Sequence, residues 1–226
     1  MKITYFGHAS IFIETDHHKI LIDPFISGND LAKLIPWQSI EVDYIFITHA
    51  HRDHILDVEA ISKRTGAKLI SNYEIINYFE EKGLVGHAMN TGGSLTFDFG
   101  VVHAVKAEHS SSFPDGSYGG IPMGFVLETE KHTIYIAGDT ALTYDMKLIP
   151  KVIGKLDLVV LPIGDVFTMG IKSAIKASDF LKCKNVLGYH YDTFKPIQLD
   201  HEKAIKMFKK AHKKLFLLPI GGELKL

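Results

Sequence analysis

The chain has 226 residues, of which 46% are hydrophobic and 23% charged, an ordinary globular composition with enough apolar material for a sizeable core. Its net charge of -1 offers no broad basic field for nucleic acid or an anionic membrane, and its single cysteine excludes an internal disulfide and a cysteine-rich metal site. No apolar run approaches the roughly 18 residues that cross a bilayer, and the N-terminal stretch lacks a signal-peptide pattern, so we expect a cytoplasmic protein without membrane contact.

Short β-prone runs open the chain. Strands are predicted over 3–6, 11–14 and 19–22. A continuous apolar strand over 42–47 is expected to be buried on both faces. It is followed by a helix over 57–65, a strand over 68–71 and a helix over 73–82, and a glycine directly after each helix marks its end.

The middle of the chain is rich in strands, and its last third alternates strands with helices. The further strands are predicted over 87–90, 94–97, 101–105, 123–128, 133–137, 156–162, 185–189 and 215–218. The further helices are predicted over 144–153, 171–182 and 200–213. Because antiparallel strands give way to alternating elements twice, we expect one domain over 1–226 made of two similar halves, roughly 1–115 and 116–226. The predicted fold is an α+β, four-layer αββα sandwich, with two mixed sheets face to face and helices outside.

Histidine is unusually frequent, with 13 residues in the chain, and it clusters in the segment His49-Ala50-His51-Arg52-Asp53-His54. The segment follows an apolar strand and precedes a helix, so it lies at the carboxyl end of a strand, where α/β sheets place ligand sites. His49 and His51 are two residues apart and point the same way in extended backbone. Asp53 and His54 follow as the chain turns into the helix. These four side chains can reach two adjacent metal positions.

This H-x-H-x-D-H pattern after a short apolar strand resembles the signature of the metallo-β-lactamase superfamily. That superfamily also uses a distal histidine, a distal aspartate and a last histidine, each at a strand end. His109, Asp139 and His190 match these positions. Asp23 matches an early aspartate that lies behind the ligands and orients them. The resemblance covers essentially the whole chain.

The resemblance implies a dinuclear metal site with seven ligands. One ion would be held by His49, His51 and His109, the other by Asp53, His54 and His190, and Asp139 would bridge the two. Imidazole and carboxylate without thiolate suit zinc, the metal we expect, with manganese or iron as alternatives. A hydroxide shared by the ions would attack the ester, with catalytic roles for Asp53 and Asp139.

The segment Gly7-His8-Ala9-Ser10 is similar to the branch of this superfamily that contains L-ascorbate-6-phosphate lactonase. We expect His8 either behind the ligands at the pocket edge or in a solvent-facing hairpin turn. The loops 162–170 and 190–194 resemble those of uncharacterised metal-dependent hydrolases in the same branch. The residues predicted to bind substrate there are Asp165, Met169, Tyr191 and Thr193, and loop packing is the alternative.

The leading hypothesis is a metal-dependent hydrolase of a small phosphodiester, lactone or carboxylic ester. A nuclease is an alternative, although the net charge of -1 and the lack of an RNA-gripping insertion count against it. A true β-lactamase, a sensor that binds metal or ligand without turnover, and an oxidoreductase with a diiron centre also remain open. The expected partner is a small ester, with nucleic acid disfavoured, and the likeness to the lactonase suggests a homo-oligomer.

Overall fold

The computed structural model describes residues 1–226 and contains two seven-stranded sheets. The first six strands are β1 (Lys2–Gly7), β2 (Ser10–Glu14), β3 (Lys19–Ile22), β4 (Tyr44–Phe46), β5 (Lys68–Ser71) and β6 (Gly86–Ala88). The next seven are β7 (Ser94–Phe97), β8 (Gly100–Lys106), β9 (Met123–Glu128), β10 (Thr133–Ile136), β11 (Leu158–Pro162), β12 (Asn185–Tyr189) and β13 (Lys214–Phe216). The last strand is β14 (Glu223–Lys225).

Six α-helices accompany the sheets. They are α1 (Arg52–Ile55), α2 (Val58–Thr65), α3 (Tyr73–Glu80), α4 (Ile149–Val152), α5 (Ile171–Phe180) and α6 (His201–Lys210). Short 3₁₀ helices cover Asp30–Ala32, Trp37–Ser39, Tyr144–Lys147 and Lys195–Ile197. The longest helices, α5 and α6, have 10 residues each, and no helix has the combined length and hydrophobicity that a bilayer crossing requires.

Both sheets follow the same plan. In the first sheet β1, β2 and β3 are antiparallel, and β3 to β6 are parallel. In the second sheet β7 to β10 are antiparallel, and β10 to β13 are parallel. The predicted sandwich of two mixed sheets is confirmed. The sheets divide between Ala88 and Ser94 rather than near residue 115, because the hairpin of β7 and β8 pairs with β9 in the second sheet.

Two hydrophobic clusters connect the layers. A cluster of 38 buried residues joins the two sheets, and the rings of Phe46 and Phe125 meet there with centroids 5.2 Å apart. A second cluster of 19 buried residues joins the first sheet to its helices and contains Ile45 of β4 and Phe79 of α3. Because Ile45 and Phe46 are neighbours in a strand, they point to opposite faces. Strand β4 is therefore buried on both sides, as its continuous apolar sequence predicts.

Two segments differ from the sequence prediction. The helix predicted over 144–153 is a 3₁₀ helix followed by α4, whose first turn contains Pro150, which has no N–H for a longer helix. The sequence also predicts the last strand over 215–218, whereas the chain turns after β13 and adds β14 to the first sheet beside β1. Strand β14 has only three residues, two of them exposed, too short a pattern to be recognised.

Candidate metal centre

All seven predicted ligands lie in segments that follow strands, five of them in loops and two, Asp53 and His54, in the short helix α1. The segment His49–His54 follows β4, His109 follows β8, Asp139 follows β10 and His190 follows β12. Within the second sheet β8, β10 and β12 run in the same direction, so their carboxyl ends meet at one edge. The fold thus brings together, at the edges of both sheets, side chains that are up to 141 residues apart in the chain (His49 to His190).

The ligand-type side chains form three overlapping groups. Within each group, one nitrogen or oxygen atom from every side chain lies within 4.8 Å of the others. The groups are His49, His51 and His109; His49, His54 and Asp139; and His8, Asp53, His54 and His190. Because His49 and His54 each belong to two groups, the three groups form one continuous cluster. All seven predicted ligands belong to it.

The carboxylate of Asp139 lies at the centre of the cluster. Its Oδ2 atom is 2.9 Å from Nε2 of His190, 3.4 Å from Nε2 of His54 and 3.6 Å from Nε2 of His109. Asp139 is buried. One carboxylate is therefore in reach of imidazoles from both sides of the cluster, as a shared ligand requires.

A hydrogen-bond chain orients two of the imidazoles. The Thr48 hydroxyl donates to Asp23 Oδ2 over 2.6 Å and lies 3.0 Å from His49 Nδ1, so it is placed to accept that N–H. His54 Nδ1 lies 2.8 Å from the same Asp23 oxygen and is placed to donate to it. With a proton on Nδ1, both histidines turn Nε2 towards the cluster, where a bound metal ion would take the place of any proton on that atom. Asp23 therefore lies behind two of the predicted ligands, and the orienting role that the resemblance implies for it stays a prediction.

The loop after β8 contacts the segment His49–His54 through two serine side chains. Ser110 Oγ lies 3.3 Å from His51 Nε2, and this contact leaves Nδ1 of His51 facing Nε2 of His49 at 3.0 Å. Ser111 Oγ accepts the Ala50 amide and donates to a backbone carbonyl of its own loop. The sequence analysis did not identify Thr48, Ser110 or Ser111. Their only signal in the sequence is a hydroxyl side chain within two residues of a predicted ligand.

His8 is buried, so the solvent-facing alternative was wrong. Its Nε2 lies 3.0 Å from Asp53 Oδ2, and its Nδ1 lies 3.1 Å from Thr193 Oγ1. Its ring centroid is 4.1 Å from that of His190. Burial, and secondarily His190, lowers the pKa of His8 to about 4. A neutral imidazole between a carboxylate and a hydroxyl suits a role in orienting Asp53.

Backbone strain is concentrated around the cluster. His8, Asp23 and His190 have positive φ angles of 54°, 45° and 56°, a backbone region that residues other than glycine rarely adopt. Each such residue costs on the order of 1–3 kcal/mol and persists only where its surroundings hold it. Here the His190 amide donates to the His8 carbonyl over 2.7 Å, and Ser10 Oγ donates to the Asp23 carbonyl over 2.7 Å. These bonds lock both turns that carry the site.

The charges of the cluster call for a cation. Asp53 and Asp139 pair only with histidines and with no lysine or arginine. Burial disfavours the ionised form of Asp139, but His190 and His54 outweigh it and hold the pKa well below its usual value. Burial also disfavours protonated His54, yet Asp139 and Asp23 raise its pKa well above the usual value. The carboxylates of Asp139 and Asp23 thus stabilise positive charge in a buried space. Proteins bind divalent ions in such an environment.

The remaining imidazoles are suited to act as neutral ligands. Burial lowers the pKa of His49, His51 and His109, which keeps their lone pairs available. Two buried ligand atoms also lack a hydrogen-bond partner, namely Asp139 Oδ1 and His190 Nδ1. Buried polar atoms are rarely left unpaired without a reason. These atoms fit a site for one or two metal ions.

The likeness to known proteins agrees with this geometry. The model of a family described as "Beta-lactamase superfamily domain" matches residues 18–191, a stretch that spans β4 to β12 and contains all seven predicted ligands. The chain belongs to the beta-lactamase superfamily.

Relatives within the superfamily match the chain over its full length. A protein of Flavobacterium johnsoniae and one of Christiangramia forsetii are each 57% identical to it, over 226 and 227 residues, covering 100% of both chains. Both are described as "UPF0173 metal-dependent hydrolase". Among solved structures, Igni18, a metallo hydrolase of Ignicoccus hospitalis, is 34% identical with a TM-score of 0.89, covering 99% of this chain and 97% of that one. The narrower likeness to the lactonase branch stays a prediction.

The four predicted substrate contacts of this superfamily member fall in different places. Met169 and Tyr191 are buried in the core that joins the sheets, so they offer almost no surface and do not fit the predicted role. Thr193 contacts His8 and thereby lies next to the cluster. Asp165 is exposed, and its Oδ1 accepts the Val166 amide. The burial of Met169 and Tyr191 favours loop packing, the alternative considered for all four, and a substrate contact by any of the four stays a prediction.

Proposed function

We propose that this superfamily member is a metal-dependent hydrolase that uses two divalent ions to cleave a small ester, either a phosphodiester or a lactone or carboxylic ester. The observation that carries the proposal is the buried Asp139 carboxylate, which lies within 3.6 Å of three imidazoles and pairs with no lysine or arginine. The description of both full-length relatives as metal-dependent hydrolases supports it.

In this proposal the ligands divide into two sets around Asp139. His49, His51 and His109 would hold one ion, and Asp53, His54 and His190 the other. When bound, two divalent ions would supply a hydroxide nucleophile at neutral pH and polarise the ester. The chain's own side chains fix the geometry. Asp23 and Thr48 aim the imidazoles, and His8 holds one oxygen of Asp53 and leaves the other free to hold the ion.

The test is hydrolysis of bis(p-nitrophenyl) phosphate and p-nitrophenyl acetate by protein loaded separately with zinc and with manganese. His49→Ala removes a buried ligand and should lose metal and turnover together. His87→Ala is the matched control, because His87 is exposed on β6 and outside the cluster, and should keep both. Metal content, measured by atomic emission, separates loss of metal from loss of chemistry.

The outcomes discriminate among the alternatives. Turnover of the phosphodiester alone would direct the substrate search to small phosphodiesters, and turnover of the carboxylic ester alone to lactones and esters. Two bound metals with no turnover of either compound would contradict the hydrolase proposal and favour a sensor. Failure of the wild-type protein to bind metal would contradict the ligand assignment itself.

A further inference from the structure

Large hydrophobic side chains are exposed on the loops after β8 and β12, which carry predicted ligands, and on the loop after β11, which lies between β10 and β12 in the sheet. Among them are Tyr118 in the loop after β8, Val166 and Phe167 in the loop after β11, and Phe194 in the loop after β12. Between 39% and 64% of each of these side chains is exposed. Apolar side chains at the mouth of a polar site call for an explanation, because a group of them marks a binding surface more often than scattered single residues do.

Phe194 is tied most directly to the metal centre. Its ring centroid lies 5.3 Å from that of His8 in an edge-to-face arrangement and 6.2 Å from that of Phe25. His8 in turn contacts Asp53 over 3.0 Å. An aromatic surface that is 39% exposed therefore lies a single side chain away from a predicted ligand.

The loop after β11 presents Val166 and Phe167 in a strained turn. Asp165 and Val166 have φ angles of 64° and 61°, and a β-branched residue in this region is an outlier. The Asp165 amide donates a hydrogen bond to the Met169 carbonyl and so closes the turn. The Met169 amide in turn donates to the carbonyl of Thr140, the residue after Asp139. The strain is thus held in place beside a predicted ligand, and strain of this kind concentrates at functional sites.

Tyr118 approaches from the remaining side. It pairs with Ser112 in a short bridge, and the next residue, Gly119, accepts a hydrogen bond from Ser111. Ser111 also accepts the amide of Ala50, between the ligands His49 and His51. Three loops from different parts of the chain therefore each carry an exposed aromatic ring and contact a residue that lies beside a predicted ligand or touches one.

We infer that Tyr118, Phe167 and Phe194, with Val166, form an apolar rim that binds the non-reacting acyl or aryl group of the substrate. This inference rests on the proposed ester hydrolysis, and it adds the chemical class of the substrate. An ester with a longer apolar group should be preferred over acetate, because each buried CH₂ increases the favourable transfer from water. Full burial of one CH₂ corresponds to a factor of roughly four in kcat/KM, and an open rim, which buries each CH₂ only in part, gives a smaller factor.

The experiment compares p-nitrophenyl acetate with p-nitrophenyl hexanoate on the metal-loaded full chain. The wild-type kcat/KM for the hexanoate should exceed that for the acetate by about 10-fold. Phe167→Ala and Phe194→Ala, made separately, should each lower this ratio roughly two- to threefold. Val85→Ala is the control, because Val85 is 64% exposed at the amino end of β6, opposite the site, and should leave the ratio unchanged.

Binding of acetate and hexanoate, measured by calorimetry on the same proteins, tests the rim independently of turnover. Tighter binding of hexanoate that is lost in both phenylalanine variants supports the rim even if no ester is hydrolysed, an outcome that would contradict only the hydrolase proposal. Equal kcat/KM for the two esters together with equal binding of the two acids would overturn the rim and leave ester hydrolysis standing. A change of oligomeric state in the variants with an unchanged ratio, seen by light scattering, would also overturn it and assign these rings to contact with a second copy of the chain.

Discussion

The side chain of Asp23 receives three hydrogen-bond donors at once. The Thr48 amide donates to Oδ1 over 2.8 Å, while the Thr48 hydroxyl and His54 Nδ1 lie 2.6 Å and 2.8 Å from Oδ2. All three atoms are buried. An amide in place of this carboxylate would turn an NH₂ group towards at least one donor, whichever way it was flipped. The charge and both oxygens are thus required to orient the imidazoles.

We therefore predict that Asp23→Asn lowers metal affinity about 10- to 100-fold, the range that loss of a ligand's orienting partner typically gives. Competition with a coloured chelator measures the affinity, and circular dichroism checks the fold. Asp16→Asn is the control, since Asp16 is an exposed aspartate paired with Lys131 on the surface. Unchanged affinity in Asp23→Asn would show that His54 does not depend on this bond.

At the scale of elements, the loop between β10 and the ligand Asp139 depends on Gly138. Its φ angle is 66°, and a Cβ atom there would lie 2.9 Å from the Met123 carbonyl oxygen and 2.9 Å from Thr48 Cβ. Both distances are shorter than real Cβ contacts. Glycine is thus required twice, for the left-handed backbone and for the close approach to the strand and loop that face it.

We predict that Gly138→Ala destabilises the fold by roughly 1–3 kcal/mol more than Gly83→Ala. Gly83 is the matched control because its φ angle is 79° but a Cβ atom there has no neighbour within 4 Å. Both substitutions carry the conformational cost of a positive φ, so the difference isolates the steric clash. Urea unfolding measures the two free energies. An equal loss would mean that the loop relaxes around the added methyl group.

Most elements could be predicted from their own residues. Strands β3, β5, β7, β9 and β12 have the predicted bounds, because their apolar runs end at clear polar or glycine signals. Elements whose existence depends on distant partners were missed. Helix α1 has only four residues and begins inside the metal-binding motif, and β14 is a strand only because β1 offers an open edge. The local pattern of apolar and polar residues carries no information on the surroundings of α1 or on the pairing of β14 with β1.

At the scale of the whole molecule, the metal centre joins the two sheets. Four of the predicted ligands follow a strand of the first sheet, and the other three, His109, Asp139 and His190, follow strands of the second. A divalent ion held from both sides would bind the folded chain and not the unfolded one, because unfolding separates the ligands. Metal binding is therefore coupled to the stability of the whole sandwich.

We predict that metal removal lowers the melting temperature by at least about 5 °C. A site occupied at 100 times its dissociation constant contributes about 2.7 kcal/mol, and each kcal/mol shifts Tm by roughly 2–4 °C in a chain of this size. Scanning calorimetry of chelator-treated and zinc-loaded protein measures the shift. It should disappear in His49→Ala and persist in His87→Ala. A wild-type Tm that does not respond to metal would argue against ligands shared between the sheets.

The sequence by itself determined the sandwich of two mixed sheets and drew attention to the seven candidate ligands. The sandwich and the motif His49–His54 follow from local information, since apolar periodicity reports burial and a dense group of histidines after a strand reports a site. The other three candidates, His109, Asp139 and His190, were matched through the resemblance to the metallo-β-lactamase superfamily. Only the tertiary structure decided that His8 is buried against Asp53, that Thr48 connects Asp23 to His49, and that Met169 and Tyr191 belong to the core. Whether such a side chain faces solvent, a ligand or the core depends on what the opposite sheet places beside it, and that neighbour lies far away in the chain.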